Sequence, residues 1–393
     1  MFSEKRKQEV IEFVRRLISH PTVSGQEEAA ARELESFMRQ HGFENITIDS
    51  CGNIFGSIRG TKPGERVLYD GHIDTVPVAD PSAWTHDPYA GEIADGKLYG
   101  RGASDMKGAV GAYTCAAAFF KEDHPAFSGE IICDGVVHEE CFEGVAARSV
   151  SALTKPDIVV IGESTACNVK IGQRGRAEVV VETFGVPAHS ANPEKGFNAV
   201  YAMCRVIEEI RKLEPKEQTG LGKGILELTD IKSVPYPGAS VVPSYCRATY
   251  DRRLLVGETK ESVLEPIREI IGKLSVEDPR FRAKVSFAHG EETCWTGSRI
   301  EGERFFPAWL YDEKEEYIQK VLSGLKDHGF DPEVTVYSFC TNGSHYAGEA
   351  GIPAIGMGPG RENLAHTDDE YVPVEQLIRA AESYYAMMEA LNG

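Results

Sequence analysis

Apolar positions recur along this chain with two different periods. Val10, Phe13, Val14, Leu17 and Ile18 fall three and four apart, which predicts an amphipathic helix at the start. His20-Pro21 ends it, because the residue before a proline is driven out of the helical region. Ser24 and Glu27 have capping-box spacing and predict a second helix that stops near Gly42. Residues 46–50 and 54–58 read as two strands around a Cys51-Gly52-Asn53 turn. Val67, Leu68 and Tyr69 then open a strand that stops at Asp70-Gly71 and leaves His72 and Asp74 two apart. In extended chain those two side chains share a side. A metal ligand with the partner that fixes its tautomer fits that spacing, and so does a His-Asp pair in a solvated turn.

The same texture repeats. A turn-rich loop over residues 84–102 delivers Ser104-Asp105 to an apolar helix predicted at 106–120, where Asp105 also reads as an N-cap. Residues 131–137 form a buried strand that runs directly into His138-Glu139-Glu140. Two adjacent glutamates there are costly to bury unless paired or bound to a metal; a surface turn is the other reading. Residues 158–161 form a third such strand, with Glu163 one glycine beyond it. Strand and helix alternate, which implies a mostly parallel sheet flanked by helices. In such sheets ligands gather outside the carboxyl ends of the strands, where His72, Glu139, Glu140 and Glu163 all fall.

From residue 177 the order becomes strand (178–184), helix (199–213), strands (225–234 and 241–253), helix (259–274), strand (282–288). That β-α-β-β-α-β order is that of an α+β ferredoxin-like unit, inserted into the first domain. After Trp309 the α/β texture returns: a helix (313–325), a strand (334–339), the loop Thr341-Asn342-Gly343-Ser344-His345, a short strand (354–357), the turn Gly358-Pro359-Gly360, and a final helix from about Val374. The expected domains are 1–176 with 291–393, and 177–290.

Composition narrows the function. The 393 residues carry a net charge of −19, so no basic field exists to draw in nucleic acid or an anionic membrane. No apolar run reaches membrane-spanning length, and MFSEKRKQEV lacks a signal-peptide core; the expected location is cytoplasmic. Nine cysteines are scattered without a Cys-x-x-Cys, which indicates neither a disulfide frame nor a thiolate zinc site. Gly100-Arg101-Gly102 begins like a dinucleotide loop but has Asp105 at the third glycine; His138-Glu139 begins like a zincin helix but has Phe142 where the second His belongs. No Gly-x-Ser-x-Gly elbow is present.

GHIDT, GRGASDMKG, HEE, GEST and AHTDDE occur in that order across the chain. The set closely resembles the dinuclear zinc amidohydrolase and peptidase family of acetylornithine deacetylase, succinyl-diaminopimelate desuccinylase, aminoacylase and glutamate carboxypeptidase. TNGSHYAGEAGIP and GPGREN look most like a branch labelled selenium-metabolism-linked hydrolases.

The resemblance implies two divalent metal ions per chain. His72, Asp105 and Glu163 would hold one, and Asp105, Glu140 and His366 the other, with Asp105 bridging. Asp74 would orient His72, and Glu139 would be the general base. His189, from the inserted domain, would reach a neighbouring subunit's site and stabilise the oxyanion. A cis peptide at Asp105-Met106 is expected on the same ground. Arg253, in the family's Asp-x-Arg, would hold a substrate carboxylate; a surface salt bridge with Asp251 is the other reading. Asn198, Ser344 and Gly358 are further candidate substrate contacts. Ser240 stands where many relatives carry Asn, so the usual substrate contact is altered, since a hydroxyl cannot present an amide's paired donor and acceptor.

The residue types suit this chemistry. Neutral His with carboxylates suits zinc, and cobalt or manganese accepts the same ligands. The implied reaction is hydrolysis of a C–N amide in a small N-acyl amino acid. A dipeptidase or carboxypeptidase, an N-carbamoyl amino acid hydrolase, and a metal-binding scaffold without turnover are the alternatives. A homodimer through the inserted domain is expected.

Overall fold

The computed structural model describes residues 1–393. The chain divides into two compact units, residues 1–173, 291–301 and 309–393 in the first and 174–290 and 302–308 in the second. The second thus begins three residues earlier than the sequence suggested. It also reclaims residues 302–308, because Phe305 and Phe306 pair with Ala177 and Arg176.

In the first unit four parallel strands form the centre of a nine-stranded sheet. Their order is Ser128–Gly135, Lys62–Asp70, Ile158–Ile161 and Ala354–Gly356. These segments are apolar because both faces are covered; Ile158–Ile161 is buried throughout. Antiparallel strands extend the sheet on both sides, Ile54–Arg59 against Ser128–Gly135 and Val169–Gln173 against Ala354–Gly356. Helix Lys107–Asp123 is buried over nearly its whole length, as a helix apolar on every side must be. Gly111 lets it approach the first helix, Glu4–Ile18: a Cβ there would lie 2.5 Å from the Val14 Cγ2 methyl. The 84–102 loop holds two short strands, Ile93–Ala94 and Lys97–Tyr99, the latter paired with Tyr371–Pro373.

The second helix forms, Glu28–Gln40, but without the expected capping box. Ser24 instead donates to Asp74 Oδ2 at 2.7 Å, and Glu27 Oε1 accepts from Gly25 N. Both side chains face inward, where buried polar partners outweigh a helix cap.

The second unit has the sheet order Ile225–Val234, Tyr245–Leu254, Gly175–Phe184, Arg282–Phe287, all antiparallel. This is the ferredoxin-like arrangement that the element order implied. Helices Ala199–Ile210 and Lys260–Glu277 supply Met203, Val206, Leu264 and Ile267 to its core. The third strand begins at Tyr245 rather than Val241, because Val241 makes an isolated bridge to His189 instead. Ile225–Val234 is an unpaired edge, with Ile225, Ile231 and Val234 exposed. No helix of the molecule is long and apolar enough to cross a membrane.

Candidate metal centre

The centre is built where the parallel strands end. Beyond Asp70 the chain stays in register for two residues: Val136 N donates to Gly71 O and Ile73 N to Val136 O, both at 2.8 Å. His72 is thereby held at the sheet's carboxyl edge, 1% exposed. Its Nδ1 lies 2.9 Å from the Asp74 carbonyl and 3.5 Å from Asp74 Oδ1. Nε2 is left to face Asp105 Oδ1 at 3.0 Å and Glu163 Oε1 at 3.6 Å. Asp105 Oδ2 faces His366 Nε2 at 3.3 Å, and His366 Nε2 lies 2.8 Å from Glu140 Oε2. Two groups result, His72–Asp105–Glu163 and Asp105–Glu140–His366, each able to hold a metal ion and sharing Asp105. The N-cap reading of Asp105 is overturned: Met106 occupies the cap of helix Lys107–Asp123, and the Asp105 carboxylate turns to the two imidazoles. The Asp105-Met106 peptide is cis, as expected.

Glu139 is buried beside these groups, Oε2 3.9 Å from His72 Nε2 and Oε1 without any hydrogen bond. Asp74 fixes it from behind. Its Oδ1 accepts from Glu139 N at 3.1 Å and its Oδ2 from Glu140 N at 3.2 Å.

The electrostatics are those of a site made for cations. Burial, then the neighbouring carboxylates, hold Glu139 and Glu163 well above the usual carboxylate range against the pull of His72. Burial and Asp105 push Glu140 up to about 7. Hydrogen bonds to Asp105 and Glu140 raise His366 to about 10. Burial works against the Asp105 charge, yet His366 and His72 keep its carboxyl below the ordinary value. No lysine or arginine ion-pairs with these four carboxylates. Orphaned oxygens on Glu139 and Glu140, neutralisable imidazoles and crowded carboxylates fit two divalent ions.

Glu370 is a residue the sequence reading passed over. Buried completely, its Oε1 accepts from Ser104 N at 2.8 Å and Asp105 N at 3.0 Å, and Oε2 pairs with Arg101 at 2.6 Å. It fixes the backbone that carries Asp105. Its signal was present as the last acid of AHTDDE.

The implied substrate contacts fare differently. Gly358 is engaged within the fold: its N donates to Thr165 Oγ1, and its carbonyl accepts from Cys167 N. A Cβ there would lie 2.0 Å from the Gly162 carbonyl, so glycine is needed for close approach to the Glu163 segment. Ser344 is buried with an unbonded hydroxyl. Asn198 is the N-cap of its helix, accepting from Val200 and Tyr201 N. Arg253 pairs with Asp251 Oδ2 at 2.8 Å, the salt-bridge reading. His189 is exposed, accepts from Ala191 N at Nδ1, and adjoins Ser240 through Ser190 N donating to Ser240 O.

Two ligand groups joined by one carboxylate can hold the pair of ions that two-metal hydrolases use, and the protein is a metal-dependent hydrolase with a candidate dinuclear site. It belongs to peptidase family M20/M25/M40, whose model matches residues 68–390. It is 32% identical over 380 residues to the uncharacterized protein YgeY of Escherichia coli K12, covering 95% of this chain and 92% of that one. It is 28% identical to succinyl-diaminopimelate desuccinylase 2 of Ruegeria, with 95% and 93% covered. Its fold is similar to that of the aminopeptidase PepT of Bacillus cereus, with a TM-score of 0.77, 18% identity and 98% of each chain covered.

Proposed function

We propose that the protein hydrolyses the amide of a small N-acyl amino acid, releasing a carboxylate and an amino acid. The observation that carries this is Glu139: a buried, hydrogen-bond-free carboxylate oxygen beside two metal-fitting groups that share Asp105. His72, Asp105 and Glu163 hold one ion and Asp105, Glu140 and His366 the other, with zinc the metal this donor set favours. Such ions supply Lewis acidity at the scissile carbonyl and acidify the attacking water. Glu139, committed to neither group, takes the water's proton and passes it to the leaving amine. Asp74 and Glu370 keep His72, Glu139 and Asp105 in place.

The desuccinylase relative supports acyl amino acids over dipeptides as the substrate class. The test is a panel of N-succinyl, N-acetyl and N-carbamoyl amino acids and dipeptides with the metal-loaded enzyme. Turnover of the acyl amino acids alone is the expected result; turnover of dipeptides alone overturns the substrate class.

The second unit is read as lid and dimerisation domain in the cytoplasmic enzyme. Its unpaired edge Ile225–Val234 supports this, since an exposed apolar strand edge is a template for pairing with another chain. His189 is assigned to oxyanion stabilisation across that dimer. A strict monomer at micromolar concentration removes both assignments.

Metal affinity rises with pH. Without metal, burial and Asp105 push Glu140 up to about 7, and hydrogen bonds to Asp105 and Glu140 push His366 up to about 10. Below those values an ion must displace their protons, so binding releases protons and strengthens as pH rises through each. Chelator competition should give roughly tenfold or more tighter binding at pH 8 than at pH 6. A flat profile removes Glu140 and His366 as ligands.

A further inference from the structure

Cys51, Cys141 and Cys294 are far apart in sequence, and nothing in their spacing suggested a site. The fold brings their stretches together around His138. The segment from Cys294 to Ser298 is fastened to the Cys51 turn: Trp295 Nε1 donates to Gly52 O at 3.2 Å, and the Thr296 and Ser298 hydroxyls both donate to Ser50 O at 2.6 Å. The turn is itself closed by Asp49 Oδ1, which accepts from Cys51, Gly52 and Asn53 N. Asn53 ties it to the His138 loop by accepting from Val137 N and donating to Ala146 O. Three chain segments are thus locked together independently of the dinuclear centre.

At their junction the His138 Nδ1 lies 3.4 Å from Cys141 Sγ. One ligand atom each from His138, Cys141 and Glu292 fall within 4.8 Å of one another. The Cys294 thiol interacts with both His138 and Cys51. No cysteine is held in a disulfide. We propose that His138 Nδ1, Cys141 Sγ and a Glu292 carboxylate oxygen form a third metal site, with the Cys294 thiol turning in as fourth ligand, taking a divalent ion of the zinc class.

The donor set selects that class. Thiolate with imidazole suits zinc, while calcium and magnesium demand oxygen ligands. Metal–ligand bonds of about 2.0–2.3 Å hold tetrahedral ligands about 3.3–3.8 Å apart, so the His138–Cys141 separation already fits. A ligating His ordinarily gives its other ring nitrogen to a carboxylate or carbonyl. Here His138 Nε2 and Glu27 Oε2 are both buried without a hydrogen bond, and the two side chains attract each other. Once Nδ1 is held by a metal, Nε2 carries the proton and Glu27 is the acceptor at hand. Because His138 immediately precedes Glu139 and Glu140, an ion here braces the loop carrying both. The site is structural, and no substrate need reach it.

The dinuclear groups contain no sulfur, so cobalt substitution separates the sites. Full-length protein purified with reductant, stripped and reloaded with Co²⁺ should bind about three ions per chain and show thiolate-to-cobalt charge-transfer absorption. Cys141→Ser and Glu292→Gln should each bind about two, and both should lose the charge-transfer band. The two variants lie on different segments, so misfolding of one leaves the other as the test. About two ions with no charge-transfer band in wild type overturns the proposal, as does an undiminished band in Cys141→Ser. Thiol titration of the unfolded, unreduced protein should find all nine thiols. A deficit of two, mapped to Cys51 and Cys294, makes the cluster a redox pair instead and overturns the metal site.

Discussion

Replacing Glu139 by alanine lowers amide turnover by about 10²–10⁴-fold while both dinuclear groups keep their metal. The expectation follows from what this side chain touches. Its Oε1 has no hydrogen bond, and Oε2 is 3.9 Å from His72 Nε2, longer than the imidazole–carboxylate contacts of either ligand group. Ligand geometry therefore survives the deletion. What is lost is a buried base whose affinity for a proton is raised first by burial and then by Glu163 and Glu140. A base so tuned can accept a proton from water and return it to an amine, which an ordinary carboxylate does poorly near neutral pH. Glu139→Gln keeps the shape and cannot take the proton, so it should match the alanine variant in kcat with KM little changed. Metal content by elemental analysis and steady-state kinetics check this together. If Glu139→Gln retains a tenth or more of wild-type kcat, the base lies elsewhere.

Much of this centre was legible because a parallel sheet writes itself plainly. Apolar runs such as 158–161 are buried on both faces, and His72, Glu139 and Glu163, within a few residues of where such runs end, lie at the edge where ligands collect. Asp105 was ambiguous, since an acid before a helix suits a cap as well as a metal; only the position of His72 and His366 decides. Ser24 and Glu27 misled for a related reason. Their spacing satisfied a local rule, while the winning partners, Asp74 and Gly25 N, came from tertiary packing and from a different turn. The cysteine cluster was invisible, because its ligands lie on two distant segments, each fastened to the Cys51 turn by hydrogen bonds that carry no periodicity. Residues 302–308 were misassigned because Phe305 and Phe306 are too short a run to signal a strand.

Asp74→Ala is expected to cost roughly 10–100-fold in metal affinity or activity, although Asp74 ligates nothing. Its carboxylate is fully buried and accepts from Ser24 Oγ, Glu139 N and Glu140 N, with Oδ1 also 3.5 Å from His72 Nδ1. Burial opposes its charge, but the interactions with His72 and Ser24 outweigh it and hold its carboxyl below the usual range. Alanine leaves the Glu139 and Glu140 amides buried without an acceptor, at about 1–3 kcal/mol each, and frees the loop that presents both glutamates. Asp74→Asn tests the charge apart from the shape. One of its two terminal atoms becomes a donor pointed at donors, so it should behave like alanine rather than like wild type. Ser24→Ala removes one of the three donors and leaves the amides bonded, so its effect should stay within a few-fold. A brace of this kind acts through the position of His72, Glu139 and Glu140. Asp74→Ala should therefore lower kcat and weaken metal binding together, whereas Glu139→Ala lowers kcat alone. Should Asp74→Ala bind metal as wild type does and lose only thermal stability, its contacts serve the fold and the orientation of His72 rests on the Asp74 carbonyl at 2.9 Å.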